Sequence, residues 1–187
     1  MAGRKQFDVD EALRRAMLVF WQWGYSEASI ERLSEGTGLG RGSLYATFGD
    51  KGALFRRSLA RYAETYHPLY ERALAGSHPG PGAAVAAFLR VTLDRIADPA
   101  VPDGCLLTMS VAQLPALDAE SQAMVRATVV RLRTMLEQAL LAAGAGEPGA
   151  AELALRTLAT NKSLAVLSRA GFSPEDLATV ARVPETT

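Results

Sequence analysis

The sequence predicts an all-α fold, and three observations predict it. Apolar residues recur at three- and four-residue spacing along most of the chain. Gly and Pro fall at roughly helix-length intervals and punctuate those stretches. No segment shows the apolar–polar alternation of a half-buried strand, and no internal repeat is visible. About nine helices are expected, divided between a three-helix head (residues 5–65) and a larger helical domain (residues 66–187). With 187 residues, 49% of them apolar, the chain has enough material for both cores.

The elements follow in order. A first helix starts after Asp8, a good N-cap with Glu11 three residues on in a capping-box-like pattern, and stops at Gly24. A second short helix follows Ser29 and ends near Thr37, Gly38-Leu39-Gly40 is a tight turn, and a third helix covers Arg41 to Phe48. Asp50 caps a fourth helix through Tyr66, where Pro68 is expected to kink or break it. The loop Gly76 to Gly82 precedes helices at 82–97, 103–113, 118–143, 148–170 and 174–182. Asp118 is an N-cap, Gly144 and Gly171 are stops, and Ser173-Pro174-Glu175-Asp176 combines a cap, a first-turn proline and two acids favoured by the helix dipole.

Charge and cysteine content bound the function. Net charge is zero, and the split is slight: residues 1–66 hold ten Lys/Arg and eight Asp/Glu, the remainder ten and twelve. The single cysteine, Cys105, permits no intrachain disulfide, which fits a reducing compartment. No apolar stretch reaches signal-peptide or membrane-span length, so a soluble, cytoplasmic protein without membrane contact is expected. An enzyme would need a nucleophile with a base, or a metal set. One Cys, two isolated His and no acidic pair at useful spacing argue against it, and no cofactor or metal is expected. A helical interaction module with no DNA role is a further alternative.

The chemistry concentrates in Ser29 to Phe55. Ile30 and Leu33 share one face of the second helix, Leu39 plugs the turn, and Leu44 and Phe48 share a face of the third. The opposite flank of that third helix is small, polar and aromatic: Arg41, Gly42, Ser43, Tyr45, Ala46 and Thr47. Such a flank enters a major groove without steric block. Arg makes bidentate contacts to guanine, Ser and Thr hydrogen-bond base edges or phosphates, and Tyr offers a hydroxyl to a phosphate. Lys51, in the first turn of the next helix, joins exposed N–H groups to favour a phosphate. Arg4 and Lys5 precede the first helix, where they suit the DNA backbone or minor groove. The alternating glycines of GTGLGRG lack both the preceding strand and the order of a dinucleotide-binding loop.

The stretch Gly3 to Tyr62 resembles the N-terminal domain of the TetR family of bacterial repressors. The carrying residues are Phe20, Gly24-Tyr25, Ser29-Ile30, Leu33, Gly38-Leu39, the run Ser43 to Lys51, and Leu54-Phe55. Gly104-Cys105-Leu106-Leu107 and Ser163 to Leu167 with Gly171 resemble one branch of the same family. The resemblance implies a sequence-specific transcriptional regulator: a homodimer on a palindromic operator, released by a small-molecule effector. Carried over by position, Ser29, Arg41, Ser43, Tyr45, Thr47 and Lys51 become DNA contacts, with Gly42 on the same flank. The chain departs from the family at Ala46 and Thr47, both small where the family often carries a bulky aromatic or His.

Several residues keep two readings. Cys105 is either a redox- or electrophile-responsive thiol or a small core or pocket residue; no cation adjoins it in sequence, and Asp103 works against activation. Phe88, Met109 and Met124 either line an effector pocket, with Met135, or fill the core. Asn161 either faces solvent beside Lys162 or is a polar group in the dimer seam or pocket, the solvated reading being favoured. His67, beside Pro68, is expected to be exposed. The helices at 148–170 and 174–182, with Leu158, Leu164, Val166, Phe172, Leu177 and Val180, either meet their copies in a four-helix bundle or cap the chain's own core.

Overall fold

The computed structural model describes residues 7–182. Arg4 and Lys5, the expected backbone or minor-groove contacts, lie outside the described residues. Among those described, nine α-helices and one 3-10 turn (Leu114–Ala116) make up the fold, and no strand is present. The helices are α1 (Val9–Glu27), α2 (Ile30–Thr37), α3 (Arg41–Phe48), α4 (Lys51–Leu74), α5 (Pro81–Ile96), α6 (Leu106–Ala112), α7 (Ala119–Ala142), α8 (Gly149–Arg169) and α9 (Pro174–Ala181). The fold is all-α, as the periodicity predicts.

The caps are side-chain hydrogen bonds to orphan N–H groups. Asp8 accepts from Asp10 and Glu11, Asp50 from Ala53 at 2.7 Å and Asp118 from Ser121 at 2.7 Å. Ser173 and Asp176 form a reciprocal capping box. Glu11 does not reach back to complete such a box on α1. Its carboxylate turns forward to Arg14 and Arg15, each at 2.7 Å. Two arginines within one turn outcompete a single backbone N–H.

α4 corrects one of the two expectations at Pro68, the break. The helix runs unbroken from Lys51 to Leu74 with the proline inside it, so the expected domain junction at 65/66 falls within one helix. Proline forfeits one backbone hydrogen bond, to the carbonyl of Glu64, an exposed residue that water solvates. Tyr62, Tyr66, Tyr70 and Leu74 stay buried on one stripe through the proline, and that packing carries the helix past it. α4 packs against α1, α3, α5 and α7 and is the spine of the molecule.

His67 corrects a second expectation. It is 6% exposed rather than at the surface, because the continuous helix turns it inward. Asn161 corrects a third. It is buried, donating from Nδ2 to Thr92 Oγ1 at 2.5 Å and to Tyr70 Oη at 3.2 Å, so a polar group inside the core is matched by two hydroxyls.

One apolar cluster runs through the molecule. Phe20, Leu33, Leu44, Phe48, Leu54 and Phe55 fill the end formed by α1–α4; Phe88, Leu107, Val125, Leu136 and Leu164 fill the other. Leu158, Leu164 and Leu177 are consumed by this core. Large apolar side chains are left outside on α7 (Val130 59% exposed, Leu141 38%), on α8 (Leu155 51%, Val166 56%) and at α9 (Phe172 50%, Val180 39%). On α8 and its C-cap, Leu155, Ala159, Ser163, Val166 and Ala170 are all exposed at three- and four-residue spacing and carry no charge.

Candidate nucleic-acid interface and effector cleft

The α2–turn–α3 unit is built by local chemistry. Ser29 caps α2, accepting from the Arg32 N–H. Gly38 ends α2 in the left-handed conformation (φ 74°, ψ 13°), its N–H returning to Ser34 O at 2.9 Å. Thr37 Oγ1 donates to Leu33 O at 2.6 Å and accepts from the Leu39 N–H, which fixes the turn between the helices. Leu39 packs partly buried on the core. Leu44 and Phe48, four apart, are the buried face of α3.

The other face of α3 is open. Arg41, Gly42, Ser43, Tyr45 and Ala46 are exposed, and Thr47 is half-buried. The Arg41 guanidinium sits 5.5 Å from the Tyr45 ring centroid, so the two side chains brace each other. Gly40 gives α3 no side-chain cap, leaving its first N–H groups to whatever docks there. Lys51, the first residue of α4, stands 4.7 Å over the Tyr25 ring and donates to Ser26 O at 3.4 Å. Partial burial there pulls its pKa down, with Glu27 opposing. Asp50, its acidic neighbour, is committed to capping. Ser29, half-buried at the start of α2, completes the set.

Three contributions escape any reading by helical spacing, because each joins separate elements. Arg57 Nη1 donates to Thr47 O at 3.4 Å, and its guanidinium lies 4.8 Å over the Phe48 ring, tying the end of α3 to α4. Arg32 stacks 4.1 Å over the exposed Trp23 ring. Arg56 further links the start of α4 to α7 through Asp118 at 3.0 Å and Glu120 at 3.1 Å.

The candidate effector residues separate. Cys105 and Met109 share a cleft of about 300 Å³ between α6 and α8, with Ala165, Val166 and Arg169. Phe88 and Asn161 are buried in the core away from that wall, Phe88 against Tyr70 with ring centroids 4.6 Å apart, and Met124 is partly buried on the core. A second cavity of about 400 Å³ between α5, α8 and α9, lined by Leu93, Ile96, Phe172 and Leu177 with Asp94 and Asp103, contains none of the five.

Cys105 itself is buried, with Tyr62 Oη 3.0 Å from its Sγ. Its sequence neighbours carry no cation, but the fold supplies two. Burial pushes the thiol up; the Arg95 guanidinium, then Lys162 and the Tyr62 hydrogen bond, more than offset it and hold the thiol at about 6. No group of three or more potential His, Cys, Asp or Glu metal ligands exists among the described residues.

Comparison with known proteins agrees with this geometry. Residues 12–57 match the family model described as bacterial regulatory proteins, tetR family. The transcriptional repressor ComR of Escherichia coli K12 is 35% identical over 103 residues, 55% of this chain. That match spans about half of ComR's own length (49%). Two solved structures of cysteine mutants of the TetR family regulator CifR, each with 26-base-pair double-strand operator DNA, are similar over 96% of both chains. One is 30% identical with a TM-score of 0.84, the other 32% identical with a TM-score of 0.83. With an exposed third helix on a buried Leu44–Phe48 seam, and a whole-chain likeness at that level of identity, the chain belongs to the TetR family of bacterial transcriptional regulators.

Proposed function

We propose that this chain is a sequence-specific DNA-binding repressor that acts as a homodimer on a palindromic operator and is released by a small-molecule effector. The observation that carries it is the open face of α3, held off the core by Leu44 and Phe48. That CifR is seen with operator DNA supports a DNA-binding role here. Arg41, Ser43 and Thr47 read base edges and Gly42 lets the backbone close on the groove. Ser29, Tyr45 and Lys51 hold phosphates and set register. Residues 5–65 work as the DNA head and residues 66–187 as the effector and dimer domain, with α4 common to both.

The uncharged stripe on α8, with Val130 and Leu141 of α7, is the pairing surface. Two copies of an α7–α8 pair give a four-helix, two-fold isologous interface. Such a dimer sets its recognition helices about 34–36 Å apart, one turn of duplex. An effector that prefers a conformer with another spacing lowers operator affinity by linkage. Met109 and Cys105 mark its cleft; Phe88, Met124 and Asn161 act behind it as packing. Members of this family are regulators rather than enzymes. No described helix is long and apolar enough to cross a membrane, and the work is done in the cytoplasm, where the operator is.

The test is a footprint of the purified protein on the DNA flanking its own gene, at low salt. Protection of an inverted repeat, with two sites about one helical turn apart, is expected. A helical module with no DNA role would retain no duplex at any salt concentration.

A further inference from the structure

The cavity between α5, α8 and α9 has no role in the reading so far. It holds about 400 Å³, within the range of small-molecule sites, roughly 300–1,000 Å³. Its walls are mostly apolar: Leu93 and Ile96 of α5, Pro174 and Leu177 of α9, and Phe172 from the turn between α8 and α9. Phe172 is half exposed, a large aromatic ring left partly bare beside a cavity.

Two polar groups on those walls have no protein partner. Among the described residues no Lys, Arg or His pairs with the Asp103 carboxylate. Ser168 of α8 is 6% exposed, and its hydroxyl makes no hydrogen bond among the described residues. The other buried helical serine near this end, Ser110 of α6, returns its hydroxyl to Leu106 O at 2.8 Å. The Ser168 hydroxyl is left to the cavity it lines.

The loop that carries Asp103 is held from two sides. Arg95 of α5, itself buried, donates from Nη1 to the carbonyl of Gly104, and Arg169 of α8 donates to the carbonyl of Asp103 at 3.4 Å. Arg90, also on the wall, is matched by Asp94 at 3.1 Å, so Asp103 sets the sign of the site. An acid would meet that carboxylate uncompensated, and a neutral apolar compound would use neither Asp103 nor Ser168. An ammonium group on a short apolar body uses both, with the Phe172 ring beside it. We propose that this cavity is an effector site, separate from the cleft between α6 and α8, for small lipophilic primary amines in their ammonium form.

Arg169 connects the site to the head. Besides the carbonyl of Asp103, its guanidinium donates to those of Trp21 and Gln22, in the last regular turn of α1. An ammonium on Asp103 sets a second positive charge near that guanidinium, which loosens the tie to α1 and lowers operator affinity. This consequence rests on the repressor reading above; the binding of the amine does not.

The experiment uses the full chain and 2-phenylethylamine, with 2-phenylethanol and 3-phenylpropionate as neutral and anionic counterparts of the same ring and chain. Titration calorimetry should find one amine per chain, with the alcohol and the acid each bound about tenfold more weakly or worse. Asp103→Asn should cost the amine about tenfold and leave the alcohol unchanged. Phe172→Ala should weaken the amine by about threefold. Both side chains are exposed, so circular dichroism should show both variants folded. In fluorescence anisotropy with the footprinted operator, saturating amine should weaken binding by about fivefold or more. Arg169→Ala should bind the amine and show no change relative to its own untreated operator affinity. Equal binding of amine and alcohol, an amine affinity unchanged in Asp103→Asn, or full occupancy with unchanged operator affinity would each overturn the proposal. So would a shift of Phe172→Ala from dimer to monomer in light scattering, since a second copy would then cover this wall. If the untreated protein binds no DNA, the repressor reading fails instead, and the site is judged on calorimetry alone.

Discussion

Gln113, just beyond α6, accepts the backbone N–H of Ser26 on its Oε1 at 3.1 Å. The bond joins residues 87 apart and fixes the last turn of α1 on the body of the protein. It exists because α1 breaks at Gly24, where φ is 72° and ψ is 175°. That combination belongs to a region essentially reserved for glycine. A Cβ at Gly24 would lie 2.5 Å from Gln113 Nε2. Gly24→Ala therefore meets two penalties, one in the backbone and one against Gln113.

The backbone penalty alone is about 1–3 kcal/mol. For a chain of this size a loss of 1 kcal/mol lowers Tm by about 2–4 °C. Thermal unfolding of Gly24→Ala should show at least that drop. Adding Gln113→Ala should recover only the steric part. Full recovery in the double variant would mean the backbone carries no strain.

How much of this was legible in the sequence depends on distance along the chain. Caps at Asp8, Asp50, Asp118 and Ser173 are decided within three or four residues, and they are where local chemistry puts them. The buried Leu44–Phe48 seam of α3 is a spacing rule and was equally readable. Pro68 misled because tertiary packing of Tyr66, Tyr70 and Leu74 outweighs one missing hydrogen bond. Asn161 misled because its partners, Tyr70 and Thr92, are 91 and 69 residues away. The cations at Cys105 escaped for the same reason: Arg95 and Lys162 are neighbours in the fold alone.

The α3 flank and Lys51 make different predictions. Lys51 stands over Tyr25 at the mouth of α4, placed for a phosphate. Lys51→Ala should weaken binding to all duplexes alike and lower the slope of log K against log salt by about one. Arg41→Ala or Ser43→Ala should instead change which bases are preferred; removing a bidentate pair to a base costs about 1–3 kcal/mol of discrimination. Competition binding against a randomised half-site separates the two. An unchanged salt slope removes Lys51 from the phosphate set, and equal losses across all sites remove Arg41 from base reading.

The pairing surface is tested by charge. Val130 and Leu155 are more than half exposed on α7 and α8, and in the proposed two-fold interface each occurs twice. Val130→Glu or Leu155→Glu removes apolar surface and places two like charges near one seam. Multi-angle light scattering should find wild type as a dimer and each variant shifted to monomer, with circular dichroism unchanged. Operator affinity should fall with the shift. A variant that stays dimeric while Val166→Glu dissociates would move the seam along α8 toward the effector cleft.

His67 gives the protein a pH dependence whose sign is fixed. The imidazole is buried, with Nε2 lacking a hydrogen-bond partner. Burial, then the nearby Arg131, pull its pKa below 6.5; Glu71 opposes, and Lys162 adds a smaller push down. Between the folded value and 6.5 the unfolded chain holds the proton and the folded one does not, so stability rises with pH there. The contribution of His67 is complete above pH 6.5 and is lost as pH falls through the folded value. His67→Gln keeps comparable bulk without the titration. Urea midpoints of both proteins, measured about one pH unit below and one above the ordinary imidazole value, decide the matter, since the contribution of Cys105 is common to both and cancels. Wild type should lose more stability on acidification than the variant; equal losses would mean that the imidazole is solvated in the folded chain.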